Sequence, residues 1–76
     1  MITEHASIVL TADIPAAGLI ADDVGVVVHV YRNGEAYEVE FMTLDGGTVT
    51  IQTLESTQVQ EAGNLDIPHV RERAAA

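Results

Sequence analysis

The chain has no cysteine and no lysine, and each absence removes a class of function. Without cysteine there is no disulfide staple, no thiolate zinc site and no thiol nucleophile. Without lysine the basic side chains are Arg32, Arg71 and Arg73, set against 12 Asp and Glu for a formal net charge of -9. A phosphate backbone is bound largely through Lys and Arg neutralisation with release of counterions, so nucleic acid is a poor partner. Long apolar runs are also missing. Val26-Val27-Val28 is far shorter than the roughly 20 residues of a membrane-spanning helix. Met1–His5 has no basic region and Ala6–Leu10 is too short for a signal-peptide core, so the expectation is a soluble, cytoplasmic protein.

What is present is enough to fold. At 76 residues, 47% hydrophobic and 20% charged, the chain has the material for one small core and too much apolar content for disorder. Glycine and proline divide it into short segments, and between them β-branched and aromatic residues recur with a period near two, the pattern of strands. Strands are expected at Ala6–Leu10, Val26–Tyr31, Ala36–Thr43, Thr48–Leu54 and Val59–Glu61. The long connection 11–23 holds Pro15, Gly18 and the acids Asp22-Asp23, with Ile14 and Leu19 as inward anchors. Glu55–Gln58 has the size of one 3₁₀ turn. The domain is expected to span 1–62, and residues 63–76, lacking strand alternation, form a C-terminal tail that is a short helix or disordered.

Two hairpins can be given a register. Asn33-Gly34 suits a two-residue type I′ turn, because both residues tolerate positive φ. That turn sets Val30 opposite Tyr37, Val28 opposite Val39 and Val26 opposite Phe41 as a core face, and His29 opposite Glu38 and Val27 opposite Glu40 as a wet face. At Asp45-Gly46-Gly47 a two-residue loop would put Phe41 against Thr50 or Gln52, a core residue against a solvent-facing one. A three-residue loop with a left-handed glycine sets Phe41 against Ile51 instead, and is the expected arrangement.

Asp23-Val24-Gly25-x-Val27-Val28 followed by Gly34-Glu35-Ala36-Tyr37-Glu38-Val39-Glu40-Phe41, with Asp13-Ile14-Pro15 and Gly18-Leu19 ahead of them, resembles a family of short bacterial proteins known only as a domain of unknown function. The likeness runs from about Ala6 to Glu61. A glycine just ahead of a valine-rich strand, in strand-turn-strand units, also resembles the SH3-like small barrels, including translation-associated KOW-type modules. The resemblance implies an all-β, five-stranded SH3-like small barrel with a long first loop. It implies no catalytic residues, and a fold of this kind hosts many unrelated functions.

Residue by residue, the chemistry-bearing side chains favour structural roles. Glu38 and Glu40 alternate on a solvated strand face, where acids protect and solvate the sheet. Asp22-Asp23 lacks the alternating acids of a calcium loop and suits a turn. His5, His29 and His69 have no metal-ligand spacing, and His29 opposite Glu38 reads as a surface pair worth less than about 1 kcal/mol. Ser7 and Ser56 have no activating neighbour in sequence. The turn glycines lead into no helix and precede no phosphate-binding lysine. No enzyme, cofactor or metal is expected.

The outer face carries more apolar surface than a monomer needs: Val27, Tyr31, Met42, Leu44 and Leu54 all fall on its nominal solvent side. Either the connection and tail, with Ile14, Leu19, Ile20, Leu65, Ile67 and Val70, cover it, or it binds a partner. The expectation is a non-catalytic, acidic protein–protein interaction module, self-associating as a homodimer or capping a basic partner in the manner of an antitoxin or immunity protein. Its contact residues are expected to be Val27, His29, Tyr31, Glu38, Glu40 and Met42. The alternative is a KOW-like accessory of the translation or transcription machinery.

Overall fold

The computed structural model describes residues 1–63. Five strands form one antiparallel sheet: β1 (Ser7–Leu10), β2 (Val24–Tyr31), β3 (Ala36–Met42), β4 (Thr48–Glu55) and β5 (Val59–Glu61). Their order is β4-β3-β2-β1-β5, so β4 and β5 stand at the two edges and the sheet does not close into a barrel. A 3₁₀ turn, Ser56–Gln58, precedes β5 as expected. It is held by a reciprocal cap in which the Glu55 N–H donates to the Gln58 side chain at 2.8 Å. Beyond Gly63 the expected tail lies outside the described residues. No helix among the described residues is long and apolar enough to cross a membrane.

The first hairpin differs from expectation in turn and in phase. Asn33 and Gly34 take positive φ as expected, but so does Arg32, and both the Gly34 and Glu35 N–H groups close on the Tyr31 carbonyl, so the loop after the Tyr31↔Ala36 pair is four residues rather than two. Val30↔Tyr37 and His29↔Glu38 pair as expected, but the register then shifts and Val27 faces Val39, with Val26 facing Glu40. Val28 is the extra residue of a β-bulge. A bulge turns two successive side chains toward the same side, and Val28 and His29 are both exposed while Val27 is fully buried. Val28 is therefore not core, and Val27 is not outer face.

Gly25 accounts for that choice. Val26-Val27-Val28 is apolar in either phase, so hydrophobicity alone does not select one. In the observed phase Gly25 lies inward, and a Cβ there would come within 2.5 Å of Val39 Cγ1 and 2.9 Å of Phe41 Cε1. The missing side chain makes room for the core.

The second hairpin also departs from the expected pairing. Its loop is three residues, Leu44-Asp45-Gly46, closed by Thr43 N–H to the Gly47 carbonyl, with Gly46 in the left-handed region as anticipated for a glycine in this turn. A shift between Phe41 and Met42 then sets Phe41 opposite Thr50, Val39 opposite Gln52 and Tyr37 opposite Leu54. Ile51 consequently points outward at 51% exposure and Leu54 inward at 2%. The reason is position. Leu54 lies where core packing is complete, whereas the inward sites of the same strand nearer the second hairpin, Thr50 and Gln52, are only half covered. There the Gln52 amide donates to the Thr50 hydroxyl at 2.7 Å, which satisfies a polar group at modest desolvation cost.

The core is Ile8, Leu10, Leu19, Val27, Tyr37, Val39, Phe41, Leu54 and Val59, with Ile14 packed against it. The long connection is tied by an Ile14–Leu19 bridge around a 3₁₀ turn at Pro15–Ala17, so both anchors act as expected. Its acids brace backbone. Asp13 accepts from the Ala21 N–H at 2.8 Å and Asp23, which is buried, accepts from the Ile20 N–H at 3.0 Å.

Candidate functional site

The outer face of β2, β3 and β4 is built by three rows of cross-strand neighbours: Tyr31, Ala36 and Glu55; His29, Glu38 and Thr53; Val26, Glu40 and Ile51. Five of the six expected contact residues, His29, Tyr31, Glu38, Glu40 and Met42, belong to this face, while Val27 does not because the bulge buries it. Leu54, also expected outside, is core. Val28 and Ile51 take their places among the exposed apolar side chains. Neither could be assigned to this face from apolar alternation, since Val28 is itself the bulged residue and Ile51 lies two residues from the irregularity at Val49.

The carboxylates on the face are held in place. Glu38 accepts from the Tyr31 hydroxyl at 3.0 Å and from the Thr53 hydroxyl at 3.4 Å, and Glu40 accepts from the Thr48 hydroxyl at 2.9 Å. Both glutamates are half-buried, so their stems are packed while their charges reach solvent. The hydrogen bond to Glu38, with desolvation and the carboxylate's charge adding to it, holds the Tyr31 phenol above its usual pKa. His29 stacks edge-on against Tyr31 with ring centroids 4.5 Å apart. It lies opposite Glu38 in register, yet the carboxylate at ion-pair distance is that of Glu4, with Oε1 3.9 Å from Nδ1. That pair is exposed and contributes little to stability.

Beside this face, an open groove of about 480 Å³ runs between the first hairpin and the 3₁₀ turn, lined by Tyr31, Ala36, Thr53, Glu55 and Ser56 among others. Its lining also includes the carboxylate of Glu35 and the guanidinium of Arg32. At the far hairpin, Asp45 accepts from the Thr43 hydroxyl and from the Gly47 N–H, which holds its carboxyl below the usual range. This is a turn brace. No group of His, Asp and Glu among the described residues is arranged to hold a metal ion.

Arg32 is the one Lys or Arg among the described residues, and it sits at the hairpin tip. The face is therefore acidic and apolar together, with exposed Val28, Met42 and Ile51 interleaved with Glu38 and Glu40. The strand order and the 3₁₀ turn are compatible with the SH3-like resemblance. No curated protein and no solved structure matches the chain. Residues 4–61 match the model of a family described as a domain of unknown function (DUF4926), and the chain belongs to that family.

Proposed function

We propose that the protein is a non-catalytic, acidic interaction module that caps a basic surface of a partner protein, in the manner of an antitoxin or immunity protein, in the bacterial cytoplasm. The observation that carries this reading is the outer face: two glutamates braced by Tyr31, Thr53 and Thr48 beside exposed Val28, Met42 and Ile51. Apolar patches rimmed by charge suit association. A single sign of charge speeds encounter with a complementary partner and disfavours like-charged ones. Glu38 and Glu40 are already ordered by neighbouring hydroxyls, so binding need not freeze them anew.

The test is affinity capture from host lysate at low and physiological salt, comparing the parent with Met42→Lys and with the double variant Glu38→Lys, Glu40→Lys, after confirming that all three melt alike. A stoichiometric basic protein retained by the parent and lost by both variants supports the proposal. Equal capture by all three, or capture of ribosomal particles alone, overturns it, the latter in favour of an accessory role in translation.

A further inference from the structure

The two edges of the sheet are not alike. β5 is three residues long, and a short edge strand offers little to pair with. β4 is eight residues, contains no proline and no lysine, and after the irregularity near Val49 keeps an unbroken register from Thr50 to Glu55. These are the features that natural edge strands usually avoid.

The direction of its backbone groups follows from one hydrogen bond. The Glu55 N–H donates to the Gln58 side chain rather than to β3, so it faces away from the sheet. At a period of two, Thr53 and Ile51 turn their N–H and C=O groups the same way. Among the described residues the edge thus presents two adjacent donor–acceptor sets, closed off at Glu55 by the Gln58 cap. Their side chains lie on the outer face, with Glu38 and Glu40 in the next strand over.

We infer that β4 is a docking edge for an extended, basic segment of a partner protein, which adds as a sixth strand through the backbone of Ile51 and Thr53. The inference rests on the basic-partner reading above and specifies how that partner is held. Charge selects the occupant. Asp45 and Glu55 flank the edge, Glu38 and Glu40 lie behind it, and the chain carries a net charge of -9. A second copy of the chain would bring the same carboxylates to the seam. An added strand would run about 10 Å from β3, two strand spacings away, within reach of Lys or Arg heads whose stems lie over Ile51. Alternation then predicts Lys or Arg at every second position of the segment, with small polar residues between them against Thr50 and Gln52.

The test uses an acetylated, amidated octapeptide of alternating Lys and Thr, with a Glu–Thr octapeptide as control, followed by amide NMR and hydrogen exchange on the full chain. Binding of the basic peptide should slow exchange at the Ile51 and Thr53 amides. Thr53→Pro, which removes an outward N–H at a position where an edge strand tolerates proline, should weaken binding roughly tenfold. Ile51→Lys, a substitution at an exposed site, should weaken it without altering the fold, and it keeps the test valid if the proline variant is unstable. Shifts at Glu38 and Glu40 with no protection at β4 would overturn the edge while leaving the basic-partner reading intact. A salt-independent dimer protected at β4 would overturn it in favour of a second copy. No binding of either peptide at low salt would count against both the edge and the basic-partner reading.

Discussion

Val27 and Val39 face each other across β2 and β3 with both side chains fully enclosed. Val28, the next residue, is 37% exposed, so neighbours in sequence carry opposite energetic weight. Val27→Ala should cost about 2–3 kcal/mol, a large part of the about 4–11 kcal/mol available to a chain of this size. Val28→Ala should change stability by less than about 0.5 kcal/mol. Urea unfolding of the two variants decides it, and equal losses would mean that the bulge is absent.

Gly25→Ala tests why that bulge exists. The new methyl would press on Val39 and Phe41, which are buried side chains with little room to yield. A loss of about 1–3 kcal/mol is expected from overpacking. A neutral or stabilising result in thermal melting would show that the strand can slip to its other phase.

Leu54 and Ile51 report on the register of β4 in the same way. Leu54→Ala should cost about 2–5 kcal/mol and Ile51→Ala well under 1 kcal/mol, read from denaturation midpoints. The reverse ranking would restore Phe41↔Ile51 as the pairing.

Tyr31 should titrate above its ordinary value in the folded protein, followed by its ultraviolet phenolate absorbance, and Glu38→Gln should bring it back down. Because the folded pKa is the higher one, this contribution to stability is fully present below the unfolded value of about 10 and disappears as pH rises through the folded value.

Asp45 runs the opposite way. Its folded pKa is lowered by the Thr43 hydroxyl and then by the Gly47 amide, so its contribution is present above the unfolded value and lost as pH falls through the folded one. Asp45→Asn should flatten that part of the acid limb of a stability–pH curve, measured by chemical denaturation between about pH 5 and pH 2.

Strand positions, the 3₁₀ turn, the anchoring of the long connection by Ile14 and Leu19, and a left-handed glycine in the second hairpin were all legible in the sequence, because each rests on local pattern or turn chemistry. The phase of β2 was not. Three consecutive valines satisfy either register, and the deciding contact, Gly25 against Val39 and Phe41, is between strands. The phase of β4 was hidden for a different reason. Val49 and Ile51 argue for one face and Leu54 for the other, and only the three-dimensional extent of the core shows that full burial is available at Leu54 alone. Of the outer face, Glu38, Glu40, His29, Tyr31 and Met42 were found from alternation in β3 and the hairpin end of β2, where no bulge intervenes.

The sheet's order also sets a timetable for its assembly. β1 lies between β2 and β5, joined to the last strand through Ile8↔Glu61 and Leu10↔Val59 and to Ala62 through the Ser7 carbonyl. Nearly the whole described chain must therefore be synthesised before the first strand acquires its second neighbour. The meander β2–β3–β4 can form from contacts close in sequence, but closing β1 onto β5 spans a long loop and carries the larger entropic cost. During synthesis on the ribosome, β1 remains half-paired until β5 emerges, so a pause ahead of Val59 would leave β1, in place of β5, as the second edge of the nascent sheet.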